Sequence, residues 1–184
     1  MSFLSIDYSS ISEVAKIYPK IEPVLNSANL ILDVGCGKNK VCPKAIGIDI
    51  IEKEEENYYI CDLNDIPVRP EFPTNVDIIV CSFCLCELES PIDSLSGLLR
   101  ILKIGGLMIV FEPHPCYVPR YGLYKEISSK FKHFFTPADL IDMFTLLSGV
   151  DILDIDIARV DKGEDLYNLK EDPYGSFLVV RRAT

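Results

Sequence analysis

Two glycines, Gly35 and Gly37, follow directly on the apolar run Leu30-Ile31-Leu32-Asp33-Val34. An apolar, β-prone run that ends in an acid and a glycine pair is a buried strand entering a tight turn, where backbone can approach a ligand because no Cβ stands in the way. A second apolar run, Ala45-Ile46-Gly47-Ile48, ends in Asp49, and a third, Tyr58-Tyr59-Ile60, runs into Cys61-Asp62-Leu63. A carboxylate at the end of the strand beside a glycine turn can accept hydrogen bonds from both hydroxyls of a ribose. Asp62, one strand further on, is placed to meet the exocyclic amine of an adenine, with Leu63 and Phe83 as apolar walls. Asn39 stands where a third small residue often falls, and Asn tolerates left-handed geometry better than most residues. The chemistry these residues permit is the gripping of a nucleoside.

The elements that must position them alternate. Ser10 to Glu13 reads as a capping box opening a short helix, and a second helical turn is expected from Pro19 to Leu25. Strands are expected over 29–34, 45–50, 58–60 and 76–81, the last continuously apolar apart from Asp77. Ser90-Pro91 opens a helix with Ser as N-cap and a buried stripe of Leu95, Leu98, Leu99 and Leu102, ended by Gly105-Gly106. A strand over 107–111 follows, then a helix capped at Thr136-Pro137-Ala138-Asp139 and closed at Gly149. Strands over 150–157 and 177–180 complete the set, and the stretch from Asp161 to Gly175 shows no helical period, so this last pair can run antiparallel. Strands alternating with helices argue an α/β fold with a parallel sheet, and ligands of such sheets bind beyond the carboxyl ends of the strands. No repeat or boundary divides the chain, which reads as one domain over 1–184, with 1–28 as an N-terminal helical cap.

Bulk properties narrow the function. A net charge of −10 argues against binding a nucleic-acid backbone by overall electrostatics. Mean hydropathy is +0.20, yet no run reaches the roughly 20 apolar residues that span a bilayer. The start, Met1-Ser2-Phe3-Leu4, lacks the basic region of a signal peptide, so a cytoplasmic location is expected. The seven cysteines are an odd number, against a complete disulfide framework. Cys81-Ser-Phe-Cys84 is one ligand-spaced pair without a clean second, so no metal is expected and the thiols read as core residues.

Taken together, Asp33-Val-Gly35-Cys36-Gly37, Asp49, Cys61-Asp62-Leu63, the segment Cys81-Ser82-Phe83-Cys-Leu-Cys-Glu-Leu88 and the turn Leu102-Lys-Ile-Gly105-Gly106 resemble the class I S-adenosylmethionine-dependent methyltransferases, from Asn29 to Arg182. The resemblance implies a Rossmann-like, seven-stranded mixed sheet of order 3-2-1-4-5-7-6 with strand seven antiparallel and helices on both faces. It implies S-adenosylmethionine as cofactor, with contacts at Asp33, Gly35, Cys36, Gly37, Asp49, Ile50, Asp62, Leu63, Ser82 and Phe83; in the family the acid at Asp33 often braces the turn instead of touching ligand. One departure stands out. Asp49 follows Gly37 by only twelve positions, with Pro43 among them, too short for a normal helix and its exit loop. The helix after strand one is therefore expected to be truncated or replaced by a loop.

The region 113–135, after strand five, is the expected substrate segment. It carries His114, Tyr117, Arg120, Tyr121, Tyr124, Lys125, Lys130 and Lys132, a basic and aromatic concentration in an acidic chain. It reads either as a lid that recognises an anionic or aromatic substrate or as a surface loop whose tyrosines pack on the core. His114 is the candidate base, its ordinary pKa lying near neutrality, or else a hydrogen-bonded structural histidine. His133, before Phe134-Phe135, reads as structural. No Asn/Asp-Pro-Pro-Tyr/Phe or Pro-Cys follows strand four, which argues against amino-methylation in that manner and against cytosine C5 chemistry. The readings that stand are methyl transfer to a small molecule, transfer to RNA or protein, and a non-catalytic partner subunit of the same fold. A nicotinamide dehydrogenase lacks its third glycine and the roughly 20-residue spacing of that fingerprint.

Overall fold

The computed structural model describes residues 21–37, 40–52, 54–68, 72–115, 131–160 and 172–184. In chain order these are helix α1 (Ile21–Ser27), strands β1 (Ile31–Val34), β2 (Ile46–Asp49) and β3 (Tyr58–Ile60), a 3-10 helix (Leu63–Val68), β4 (Val76–Ser82), a 3-10 turn (Leu85–Glu87), α2 (Pro91–Ile101), β5 (Leu102–Pro113), α3 (Pro137–Thr145), β6 (Val150–Val160) and β7 (Asp172–Arg182). The strands form one seven-stranded sheet of order β3-β2-β1-β4-β5-β7-β6. Every pairing is parallel except those of β7, which runs antiparallel to both β5 and β6. The expected α/β architecture and strand order are therefore observed.

The central strands are mainly apolar because both faces of the sheet are covered. Alternate residues divide between two cores. Leu32, Val34, Ile79, Cys81, Met108 and Val110 face a core completed by Leu95, Leu98 and Leu99 of α2 and by Leu140, Met143 and Phe144 of α3. Ile31, Ile78, Val80, Ile109 and Phe111 face the other core, closed by Ile21 and Leu25 of α1 with Val41 and Ala45. Burial on this scale, at ~25 cal/mol per Å² of apolar surface, is what holds the strand ends in register. Asp77, an acid near the start of β4, ties the opposite edge of the sheet: its Oδ2 accepts from the Asn29 and Leu30 N–H groups, each at 2.8 Å, and its Oδ1 from Lys103. Those bonds and the Lys103 charge hold its carboxyl below the usual range.

Local differences from expectation have local causes. Among the described residues between β1 and β2 there is no helix; the chain crosses in turns, as the short spacing and Pro43 demand. Ser90 sits at the N-cap of α2, but its Oγ donates to Asp93 Oδ2 at 2.7 Å instead of accepting a backbone N–H. That helix stops at Ile101, earlier than Gly105-Gly106. Leu102 is already extended and pairs with Val76, while Leu107 pairs with Ile78, so the glycines, with Gly105 at φ +80, take up the surplus length within β5. Thr136 does cap α3: its Oγ1 accepts from Asp139 N–H at 3.2 Å, and Asp139 Oδ2 accepts from Thr136 N–H at 2.7 Å. The helix ends at Thr145, before the turn that Gly149 closes. The proposed capping box at Ser10 to Glu13 lies outside the described residues. Among those described, no helix is long and apolar enough to cross a membrane.

Candidate functional site

The glycine turn leaves the centre of the sheet between β1 and β2. Gly35 and Gly37 both have left-handed backbone, φ +70 and +55. The Gly35 and Cys36 N–H groups donate to Ile48 O at 2.7 and 3.3 Å, which binds the turn to β2. Gly37 N–H donates to Asp49 Oδ2 at 2.7 Å, and Ile51 N–H donates to Asp49 Oδ1 at 3.0 Å. The predicted nucleoside acid and the predicted turn are thus joined directly. The two glycines differ in their surroundings. A Cβ on Gly35 would stand 2.2 Å from Cys84 Cβ, whereas a Cβ on Gly37 would meet nothing within 4 Å. Gly35 is a packing glycine and Gly37 borders open space.

Asp33 is 2% exposed, and its carboxylate accepts from Val41 N–H, so it braces the chain as it returns toward β2. Burial pushes its carboxyl up to about 7, opposed by the Val41 bond. Cys36 is buried as well, and a side chain at Gly47 would collide with its Sγ at 2.8 Å, which explains the glycine in β2. Next to Asp49, Ile50 is 66% exposed, a large apolar side chain without cover at the carboxyl edge.

β3 delivers the second acid to the same edge. Cys61 N–H donates to Asp49 O at 2.8 Å, which carries the chain past the end of β2. Asp62 is exposed, and its Oδ1 accepts from the Asn64 backbone N–H at 2.9 Å and from Asn64 Nδ2 at 2.7 Å, capping the 3-10 helix. Leu63 is buried, with its carbonyl accepting from Ser94 Oγ at 3.0 Å. Beyond β4, Ser82 is buried, and Phe83 adopts φ +52, an unusual conformation for an aromatic residue. Phe83 N–H donates to Phe111 O at 2.8 Å, and its ring meets those of Phe111 at 5.2 Å and Phe131 at 6.3 Å.

Glu112, at the end of β5, is a residue the sequence reading did not single out. It is completely buried. Its Oε1 accepts from the Cys84 and Leu85 N–H groups at 3.2 and 2.9 Å, and its Oε2 from Cys86 N–H at 3.1 Å. Burial pushes its carboxyl up to about 7, with the three N–H groups pulling the other way. The signal was present, since Glu112, like Asp33 and Asp49, is an acid at the end of an apolar strand.

His114 follows in the same segment, 8% exposed, with burial lowering its pKa and the Asp139 charge acting in the opposite sense. The chain from Phe131 onward lies across the residues after β4. Lys132 and His133 N–H donate to Cys86 O at 2.7 and 3.1 Å, and Phe135 N–H to Pro113 O at 3.0 Å. His133 Nε2 pairs with Leu88 O at 3.0 Å, and Lys132 pairs with Glu89. Asn39, Cys116, Tyr117, Arg120, Tyr121, Tyr124, Lys125 and Lys130 lie outside the described residues. Cys36, Cys42, Cys61, Cys81, Cys84 and Cys86 are free thiols.

This strand order, with a glycine turn after β1 and acids after β2 and β3, defines the class I S-adenosylmethionine-dependent methyltransferase fold. The profile of the family described as "Hypothetical methyltransferase" matches residues 13–147, well over half of the chain, and the chain belongs to that family. No curated protein matches it in sequence. Among solved structures it is similar to an S-adenosylmethionine-dependent methyltransferase from Mesorhizobium loti, at 16% identity and TM-score 0.70 over 94% of this chain and 100% of that one. It is similar also to the Burkholderia thailandensis 1,6-didemethyltoxoflavin-N1-methyltransferase solved with 1,6-didemethyltoxoflavin and S-adenosylhomocysteine, at 12% identity and TM-score 0.62 over 92% and 79% of the two chains. A third likeness is to a complex containing the Haloferax volcanii Trm112 methyltransferase activator, at 15% identity and TM-score 0.63 over 94% and 92%. At these identities the likeness is one of fold.

Proposed function

We propose that this methyltransferase uses S-adenosylmethionine and transfers its methyl group to a small-molecule acceptor, acting as a single cytoplasmic domain. The observation that carries the reading is the joining of Gly37 to Asp49 at 2.7 Å on the edge where Asp62 also emerges. The residues fit the adenosyl group. Asp49 keeps acceptor capacity beyond the Gly37 bond, since a carboxylate oxygen has two lone pairs, and so can take ribose hydroxyls. Asp62 is exposed for an adenine amine, Ile50 offers an uncovered apolar wall, and Leu63 and Phe83 are buried apolar residues of the following segments. The space open at Gly37 leaves room for close approach, while Cys36 and Ser82 are buried and Asp33 braces Val41 behind the turn.

When bound, the sulfonium supplies an electrophilic methyl group. The protein's own part is orientation, because displacement at that methyl needs an in-line approach and little acid–base help. His114, whose pKa burial lowers, can accept a proton at an imidazole nitrogen from an acceptor that must lose one. Residues 113–135 would then form the acceptor-binding segment. The net charge of −10 favours a small molecule. The basic residues of that segment favour RNA or protein as the second reading, with a non-catalytic partner subunit as the outcome if no acceptor exists.

A thermal-shift titration tests the cofactor. At 100 times its dissociation constant S-adenosylhomocysteine should add about 2.7 kcal/mol of stability, and NAD should add none. Asp49→Ala should abolish the shift. No stabilisation of the wild-type chain by S-adenosylhomocysteine would overturn the proposal. A radiolabelled-methyl screen over metabolite, RNA and protein fractions then separates the acceptor classes.

A further inference from the structure

The segment after β4 is held from a distance. Cys84, at the N-cap of the 3-10 turn, makes no side-chain cap, and the three N–H groups at the start of that turn are met instead by Glu112, from the end of the neighbouring strand. The same segment presses on the glycine turn. Cys84 lies where any side chain on Gly35 would be, and Phe83, immediately before it, is kept in left-handed backbone at the carboxyl edge. We propose that Glu112 is a positioning residue for cofactor binding: its carboxylate holds residues 84–86 so that Cys84 seats the Gly35 turn and Phe83 faces the adenosyl site, and loss of its charge weakens binding. This rests on the cofactor reading above.

The physical argument is one of charge and alternatives. Hydrogen bonds to an ionised carboxylate are roughly twice as strong as neutral ones. On protonation one oxygen becomes a donor facing N–H donors, so the grip on the turn slackens. Among the described residues, the titratable groups on the elements packed round Glu112 are the Cys81, Cys84 and Cys86 thiols, Glu87, His114 and His133. The Cys81 hydrogen bond and burial push Cys84 up, and burial pushes Cys86 up, so both stay neutral thiols. His133 is turned to Leu88 O. On β7, Ser176 stands opposite Glu112 in register, but its Oγ donates to Phe135 O at 2.5 Å. Burial pushes the Glu112 carboxyl up to about 7, within reach of an ordinary binding assay.

The test uses the full chain, wild type beside Glu112→Gln and Glu112→Asp, with S-adenosylhomocysteine affinity measured by calorimetry between about pH 5.5 and 8.5. Amide exchange of residues 84–86 is measured on the same samples without ligand. Wild-type affinity should rise at least about fivefold across that range, with Glu112→Gln weaker throughout and flatter in pH, and Glu112→Asp restoring part of the slope. Asp33 titrates in the same range, so the readout is the difference in slope between variant and wild type. Amides 84–86 should exchange faster in Glu112→Gln than in wild type at one pH. Wild-type affinity and slope in Glu112→Gln, or unchanged amide protection, would overturn the proposal. If the wild-type chain binds no S-adenosylhomocysteine at any pH, the cofactor reading fails, and the proposal fails with it, whereas the amides report whether the clamp exists. Should Glu112→Gln not fold, Glu112→Asp carries the comparison: its shorter carboxylate must loosen the amides and shift the slope, and no change in either overturns the inference.

Discussion

Substituting alanine at Gly35 and, separately, at Gly37 distinguishes packing from ligand approach within one turn. Both glycines have positive φ, so an L side chain at either is strained by about 1–2 kcal/mol. At Gly35 a second effect is added. The new methyl would lie 2.2 Å from Cys84 Cβ and 3.5 Å from Cys84 Cα, and that backbone cannot retreat while Glu112 holds the Cys84 N–H. Overpacking of a tight core costs about 1–3 kcal/mol, so Gly35→Ala should lose roughly 2–5 kcal/mol in all. A folded domain has only about 5–15 kcal/mol to lose, so the effect is large. Gly37→Ala meets nothing within 4 Å and should lose only the backbone part, yet its methyl occupies the space a ligand would enter. Urea denaturation gives the stability difference, and calorimetry with S-adenosylhomocysteine gives affinity, which should fall about tenfold or more for Gly37→Ala. Equal stability losses at the two positions would refute the distinction between them. A Gly35→Ala chain within about 0.5 kcal/mol of wild type would show that Cys84 does not sit against the turn.

Two further outcomes concern stability. Asp33 is raised from 3.8 to about 7 by burial, so between those values the native chain holds a proton that the unfolded chain has released. The contribution is therefore full below the unfolded pKa and is lost as pH rises through about 7, at roughly 1 kcal/mol per pH unit. Urea midpoints should fall as pH rises from about 5 to 7, less steeply in Asp33→Asn; parallel slopes in the two proteins would contradict this. Thr136→Ala removes the Oγ1 that accepts from Asp139 N–H and should lower stability by about 1 kcal/mol; an unchanged melting temperature would mean that the cap adds nothing.

The sequence by itself determined which runs are strands, although β5, β6 and β7 extend past the ends expected for them. A run such as Val76 to Cys81 can be buried on both faces only in the middle of a covered sheet, and an acid or glycine at the end of such a run marks the edge where the chain leaves the core. Asp33, Gly35, Gly37, Asp49 and Asp62 were legible as strand-end residues for that reason, and so was the lack of a helix among the described residues between β1 and β2, since twelve positions containing a proline leave too little chain for a full one. Local pattern was less informative where the partner is remote. Ser90 looks like a cap in sequence, but Asp93, three residues on, takes its hydroxyl. Gly105-Gly106 looks like a helix stop, but β4 captures Leu102 first. What tertiary structure alone decided is which acid does what. Asp33, Asp49 and Glu112 carry the same signal of an acid closing an apolar strand, yet one braces Val41, one holds Gly37 and faces outward, and one caps a turn 28 residues away in the chain. Their different burial and partners come from the order in which the strands lie side by side, and hydrogen-bond partners that meet only across a folded sheet leave no trace in local sequence.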